Sequence, residues 1–199
     1  IGVDEIYASP SNNWGNNIGW NLNTVIWGAS AAGNWSVGGN WVGGVVPGEF
    51  DDVLFDPDQP GGSWENSVID LAWSTAEGTV NSITITEGYW GQITQQGNLD
   101  VVMDFVNNGA MFISDPFYEF NVGGGFSLGG WSTFKRFGGL GTVASPYVIY
   151  DAYGLQAVNY YLSAHFELNG DIDASQTWAW NDWSGFRPIG YMNMEFWSE

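Results

Sequence analysis

A 21-residue step in the middle of the chain restricts its fold more than any other feature. The stretch "LDVVMDFVNNGAMF" (99–112) is answered by "YEFNVGGGFSLGGWSTF" (118–134), and Phe126 follows Phe105 after 21 residues. Each half reads as short strand, Phe, turn with Gly, aromatic strand. A self-similar step of about 20 residues marks a solenoid, in which each coil buries its apolar face only against its neighbours. At roughly 20–25 residues per coil and about 4.8 Å per rung, the chain would hold about eight coils in a stack near 40 Å long.

The flanking segments obey the same grammar. "SITIT" (82–86) alternates strictly, as a half-buried strand does. In "DVLF" (52–55), Val53 and Phe55 face one way, Asp52 and Leu54 the other. Glycine contributes 29 of the 199 residues and tryptophan 13, a balance suited to turn-rich β-structure. Inward positions are expected to be Val, Ile, Leu and Phe, with stacked aromatics and Asn at turns. The fold expected is all-β, a right-handed parallel β-helix, with a β-sandwich of Gly-rich hairpins as the alternative. One helical phrase interrupts it near 151–162: Asp151 is a good N-cap, and Leu155, Val158 and Leu162 share a face. Three segments follow: an Asn/Gly/Trp-rich start (1–32), solenoid coils (33–137), and a second β-helix module carrying the short helix (138–199).

Charge excludes several functions. There are 22 acidic residues against Lys135, Arg136 and Arg187, for a net charge of −19. Nucleic acid binding needs cationic contacts to phosphate, and anionic lipid needs the same. With no Cys, neither a disulfide framework, a thiolate metal site nor a Cys nucleophile can form. No apolar run approaches the ~18 residues of a membrane span, so membrane insertion is not expected. The chain opens on Ile1, consistent with a removed signal peptide or with an excerpt of a longer protein.

Three phrases resemble secreted proteins of the filamentous-haemagglutinin and autotransporter-passenger type. "GNWSVGGNWVGGVVPGEFDDVLFD" resembles their opening, and "SITITEGYWGQITQQGNLDVVMDFVNNGAMF" is similar to their coils. "FGGLGTVASPYVIYDAYGLQAVNYYLSAHFELNGDIDASQTWAWNDWSGFRPIG" resembles a module that recurs in them. Together the phrases span roughly 33–190. The resemblance implies a right-handed parallel β-helix from a large bacterial surface or secreted protein, adhesin-like. In those proteins the last phrase usually leads into another coil, whereas here the chain stops at Glu199; the first 32 residues match nothing in them.

Candidate sites follow from residue chemistry. Asp51, Asp52, Asp56 and Asp58 could ligate Ca²⁺, though Pro60 and the lack of a Glu at the twelfth position break the EF-hand pattern. The plainer reading is turn-capping and solvated carboxylates. Asp171 and Asp173 point the same way in an extended segment, and could share Ca²⁺ or serve as a turn, the role the resemblance implies. Trp178, Trp180 and Trp183 in "WAWNDW" are the best exposed aromatics for stacking on sugars, against the plainer reading of loop packing. Asn34 begins an N-x-S sequon. His165 reads as a structural histidine, and the acidic residues show no recognisable pairing with a base for polysaccharide cleavage.

The function expected is therefore a non-enzymatic, extracellular structural or adhesive protein of the cell surface. It would need no cofactor beyond Ca²⁺ and would associate with itself or with neighbouring coils of a longer chain, on the premise that nothing caps the C-terminal end of the solenoid. A carbohydrate-binding module reading host or matrix glycans, or a polysaccharide-active enzyme, is the alternative.

Overall fold

The computed structural model describes residues 24–70 and 78–190. Its main body is a parallel β-solenoid of five rungs. The first sheet stacks β1 (Thr24–Ile26), β3 (Asp52–Phe55), β6 (Ser82–Ile85), β9 (Phe105–Asn107) and β12 (Phe126–Leu128). The second stacks β2 (Gly33–Asn34), β4 (Ser67–Ile69), β7 (Gln92–Gln95), β10 (Met111–Ser114) and β13 (Thr133–Lys135). A third carries β5 (Thr79–Val80), β8 (Leu99–Val101) and β11 (Phe120–Val122). Every pairing between these strands is parallel, and Phe126 lies directly opposite Phe105, so the 21-residue step is the solenoid's own. The β-sandwich alternative falls, because hairpins would pair antiparallel.

The coils are not of equal length. Asp52 sits opposite Thr24 and Ser82 opposite Asp52, steps of 28 and 30 residues, before the pitch tightens to 22 and 21. The early turns carry long excursions, such as the Pro- and Gly-rich loop after β3, so the count of eight coils expected from an even period is too high for the residues described. Loop length is nearly free to vary because closing a longer loop costs little entropy.

The core is a set of columns, one residue per rung. Val25, Val53, Ile83, Phe105 and Phe126 form one; Ile93, Phe112 and Phe134 form another, all buried. Phe105 stacks on Phe126 at 5.4 Å and Phe112 on Phe134 at 5.6 Å. Trp27, Trp35 and Trp41 fill the wider early coils around Phe55. A third column turns polar inside the stack. The Ser114 hydroxyl donates to Gln95 Oε1 at 2.5 Å, and Arg136 Nη1 donates to Ser114 Oγ at 2.6 Å. Each member satisfies the next, which is what a buried polar group requires.

The last rung is closed by the helical phrase. Helix α1 (Ala152–Ala157) lays Tyr153 against Phe120 and Phe126, and Trp180 covers Phe126. The Val122 amide donates to the Tyr153 hydroxyl at 2.9 Å, and Arg187 Nη1 donates to the Leu128 carbonyl at 2.5 Å. The open edge that the sequence suggested for end-to-end growth is thus covered at this end of the stack. Asp151 is the N-cap, accepting from the Gly154 amide at 2.8 Å. Gly154 costs helix propensity for a reason: a Cβ there would stand 2.7 Å from the Arg136 carbonyl, and the helix could not lie on the rung. The helix is shorter than its sequence pattern. It tightens to a 3-10 turn at Val158–Tyr160, and Leu162 swings out to solvent instead of extending the Leu155–Val158 face.

Beyond the cap, β14 (Tyr147–Ile149) and β15 (Phe166–Leu168) pair in parallel, Tyr147 opposite Phe166 at a 19-residue step. Among the described residues β15 is paired on one side only. No described helix is long and apolar enough to cross a membrane. The strand expected in "DEIYA" lies outside the described residues.

Candidate functional site

The acidic candidates divide up rather than converge. Asp51 accepts from the Gly48 amide at 2.8 Å and Asp52 from the side chains of Asn81 and Ser82. Asp56 accepts from the Asp58 amide and from Gln59 Nε2. Asp51 and Asp56 thus hold turns, while Asp52 ties one rung to the next. No group of three or more His, Asp or Glu among the described residues is placed to hold a metal ion. Asp173 accepts from the Ser175 amide at 2.8 Å, and that bond, then the Ser175 hydroxyl, holds its carboxyl below the usual aspartate range. Asp171 is exposed beside it. Asp173 thus holds a turn. Asn34 is exposed on β2, with its side-chain amide donating to Asp70 at 2.8 Å. His165 is exposed, and its backbone lies beside the β14–β15 pair: its carbonyl accepts from the Tyr147 amide and its amide donates to the Gly141 carbonyl.

The three tryptophans of "WAWNDW" separate. Trp180 is fully buried between Tyr153 and Phe126, so it cannot stack on a ligand. Alternation in a polar-looking loop hid this, because the loop folds back over the apolar end of the solenoid. Trp178 and Trp183 are 64% and 72% exposed with ring centroids 4.9 Å apart. They are brought together by three consecutive left-handed residues, Asn181, Asp182 and Trp183, at φ 51°, 55° and 67°. Non-glycine residues avoid that region, so the surroundings must hold them there. Asn181 does part of this, its buried side chain donating to the Gly185 carbonyl at 2.8 Å.

The pair walls a cleft of about 340 Å³. Its floor is Gly123, Gly124 and Gly125 at the entry to β12, and Asp104 and Asp182 stand beside the indoles. Asp104 accepts from the Gly125 amide at 2.6 Å. Indole faces flanked by carboxylates and bare backbone can stack on a ring and receive hydroxyl hydrogen bonds. The sequence offered Trp178 and Trp183. It did not offer Asp104 or the triple glycine, which join them only through the coil's return.

A stretch of 60 residues, 29% of the chain, is 42% identical to halomucin of Haloquadratum walsbyi (strain DSM 16790 / HBSQ001). That stretch amounts to 1% of halomucin's length. No family model matches the chain. No solved structure matches it with significance.

Proposed function

We propose that this chain is an extracellular structural module of a cell-surface protein, a stiff acidic spacer whose outer faces carry adhesion and which catalyses nothing. The observation that carries this reading is the five-rung parallel stack with a continuous hydrophobic core, an architecture that extends by repetition and leaves function to its outer faces. The similarity to a protein named as a mucin supports a place at the surface. So does the charge of −19, which keeps such a surface solvated and apart from polyanions. The candidate carboxylates taken up in turn and rung hydrogen bonds support a non-enzymatic role. Antibody raised against the chain should label intact cells of its source; labelling only after permeabilisation would sink the reading.

Assembly is the finer part of the proposal. With the main stack covered at one end, the exposed strand β15 is the edge on which another coil, from the same protein or a second copy, would pair. Negative-stain images should show linear assemblies of the purified chain; dispersed monomers alone would remove self-assembly and leave the spacer.

A second reading is favoured by the Trp178–Trp183 cleft, which has the make-up of a saccharide subsite. Glycan-array binding that Trp183→Ala abolishes would support it. Silence across the array would end it.

A further inference from the structure

The chain holds two Asn–Gly pairs, Asn108–Gly109 and Asn169–Gly170. An Asn followed by Gly carries its own chemistry. With no Cβ to crowd it, the glycine's peptide nitrogen can close on the carbonyl carbon of the Asn side chain. The fold treats the two pairs in opposite ways.

Asn108–Gly109 is locked into the turn after β9. The Asn108 amide donates to the Ile85 carbonyl at 2.9 Å, and its carbonyl accepts from the Trp131 amide at 2.9 Å. The Gly109 amide donates to Asn107 Oδ1 at 3.3 Å, and a Cβ on Gly109 would stand 2.2 Å from the Thr86 carbonyl. The next rung closes over the Asn108 side chain, since a Cβ on Gly129 would stand 2.7 Å from its Oδ1. Ring closure at this pair requires the rungs to open.

Asn169–Gly170 leaves β15, and both residues are exposed. The Asn169 amide donates to the Ile149 carbonyl at 2.9 Å, which fixes the residue at the end of the β14–β15 ladder. Beyond that bond, among the described residues nothing holds the Asn169 side chain or the Gly170 amide. A Cβ on Gly170 would meet nothing within 4 Å. Nucleophile, electrophile and room for the ring are all present without any opening of the fold.

We propose that Asn169 is a site of spontaneous deamidation in the folded protein and that Asn108 is protected from it. The Gly170 peptide nitrogen attacks Asn169 Cγ, and the new C–N bond closes a five-membered succinimide. The side-chain nitrogen leaves as ammonia, taking the proton displaced from the Gly170 nitrogen. Water then opens the ring at either carbonyl, giving aspartate or the chain-lengthened isoaspartate. Either product adds a carboxylate close in sequence to Asp171 and Asp173, at the exit of β15, which among the described residues is paired on one side only. Charge on an edge strand opposes pairing. Aged chains therefore add a further coil less readily, a consequence that rests on the assembly reading proposed above.

The test holds the whole folded chain at mildly alkaline pH, with urea-denatured chain alongside, and follows both by peptide mass spectrometry over days. Asn169 should convert in both samples. Asn108 should convert freely in the denatured chain and at least about tenfold more slowly in the folded one. Gly170→Ala, for which the fold has room, should slow conversion at position 169 several-fold with the circular dichroism spectrum unchanged. Asn169 retained as the amide in the folded chain overturns the proposal, as does equal conversion of Asn108 and Asn169 there. Sedimentation reads the edge separately: Asn169→Asp should assemble less than fresh chain. Equal assembly removes that consequence. No assembly of fresh chain removes the assembly reading, while the mass measurement still decides the site.

Discussion

At the scale of single residues, the scarce cations are committed to the joint between solenoid and cap. Arg136 is buried, bonded through Nε to Asp151 at 2.6 Å and through its other nitrogens to Ser114 and the carbonyls of Asp115 and Tyr118. Lys135 lies over the Tyr147 ring at 5.2 Å, and Arg187 holds the Leu128 carbonyl. Arg136→Met strands four buried or half-buried acceptors, so we expect a loss of about 3–5 kcal/mol in denaturant unfolding. Tyrosines add a pH limit. Burial, then the Glu65 charge, pushes the Tyr89 hydroxyl well up, and burial pushes Tyr153 up to about 12. Below pH ~10 these groups are protonated in both states and their contribution is intact. Between pH ~10 and 12 the unfolded chain releases protons that the folded chain retains, so stability falls with rising pH. Denaturant midpoints measured across that window should drop, and drop less in Tyr153→Phe.

At the scale of elements, the cap decides whether the solenoid's end is viable. Trp180 covers Phe126 and stacks on Tyr153 at 4.9 Å, yet its Nε1 is buried with no hydrogen-bond partner among the described residues. Trp180→Ala should therefore cost about 3–5 kcal/mol by opening a cavity over the last rung. Trp180→Phe should cost much less, because the ring is retained and the unsatisfied N–H is removed. Turn chemistry is equally strict at Gly109, where a Cβ would stand 2.2 Å from the Thr86 carbonyl. Gly109→Ala is expected to lower stability by about 1–3 kcal/mol, read from thermal melts.

At the scale of the whole molecule, charge is the dominant variable. Twenty-two acids against three cations leave a large net negative charge whose members repel one another. Raising NaCl to about 1 M, where the screening length falls to about 3 Å, should raise the melting temperature. For a chain of this size a gain of 1 kcal/mol is about 2–4 °C. Because the acidic candidates are spread among separate turns and rungs, Ca²⁺ at matched ionic strength should add nothing beyond this general screening. A further rise with Ca²⁺, reversed by EDTA, would reveal a specific site.

The sequence by itself determined the coil, because its evidence is local. Phe105 and Phe126 announce the step, "SITIT" the alternation and Asp151 the cap, and each depends only on neighbours along the chain. Turn roles were legible for the same reason: Asp51, Asp56 and Asp173 bind amides within three residues of themselves. Only the tertiary structure decided which tryptophans are buried. Trp180 and Trp183 stand three residues apart in one polar-looking loop, yet that loop folds over the end of the stack, burying one and exposing the other. It also decided the register. Ser67, Ile93 and Phe112 lie 26 and 19 residues apart in the chain and stand opposite one another because unequal coils still close at the same rung spacing. Coil length varies at little entropic cost, whereas the interstrand distance is fixed by hydrogen bonding. Alignment along the solenoid therefore had to come from the folded chain.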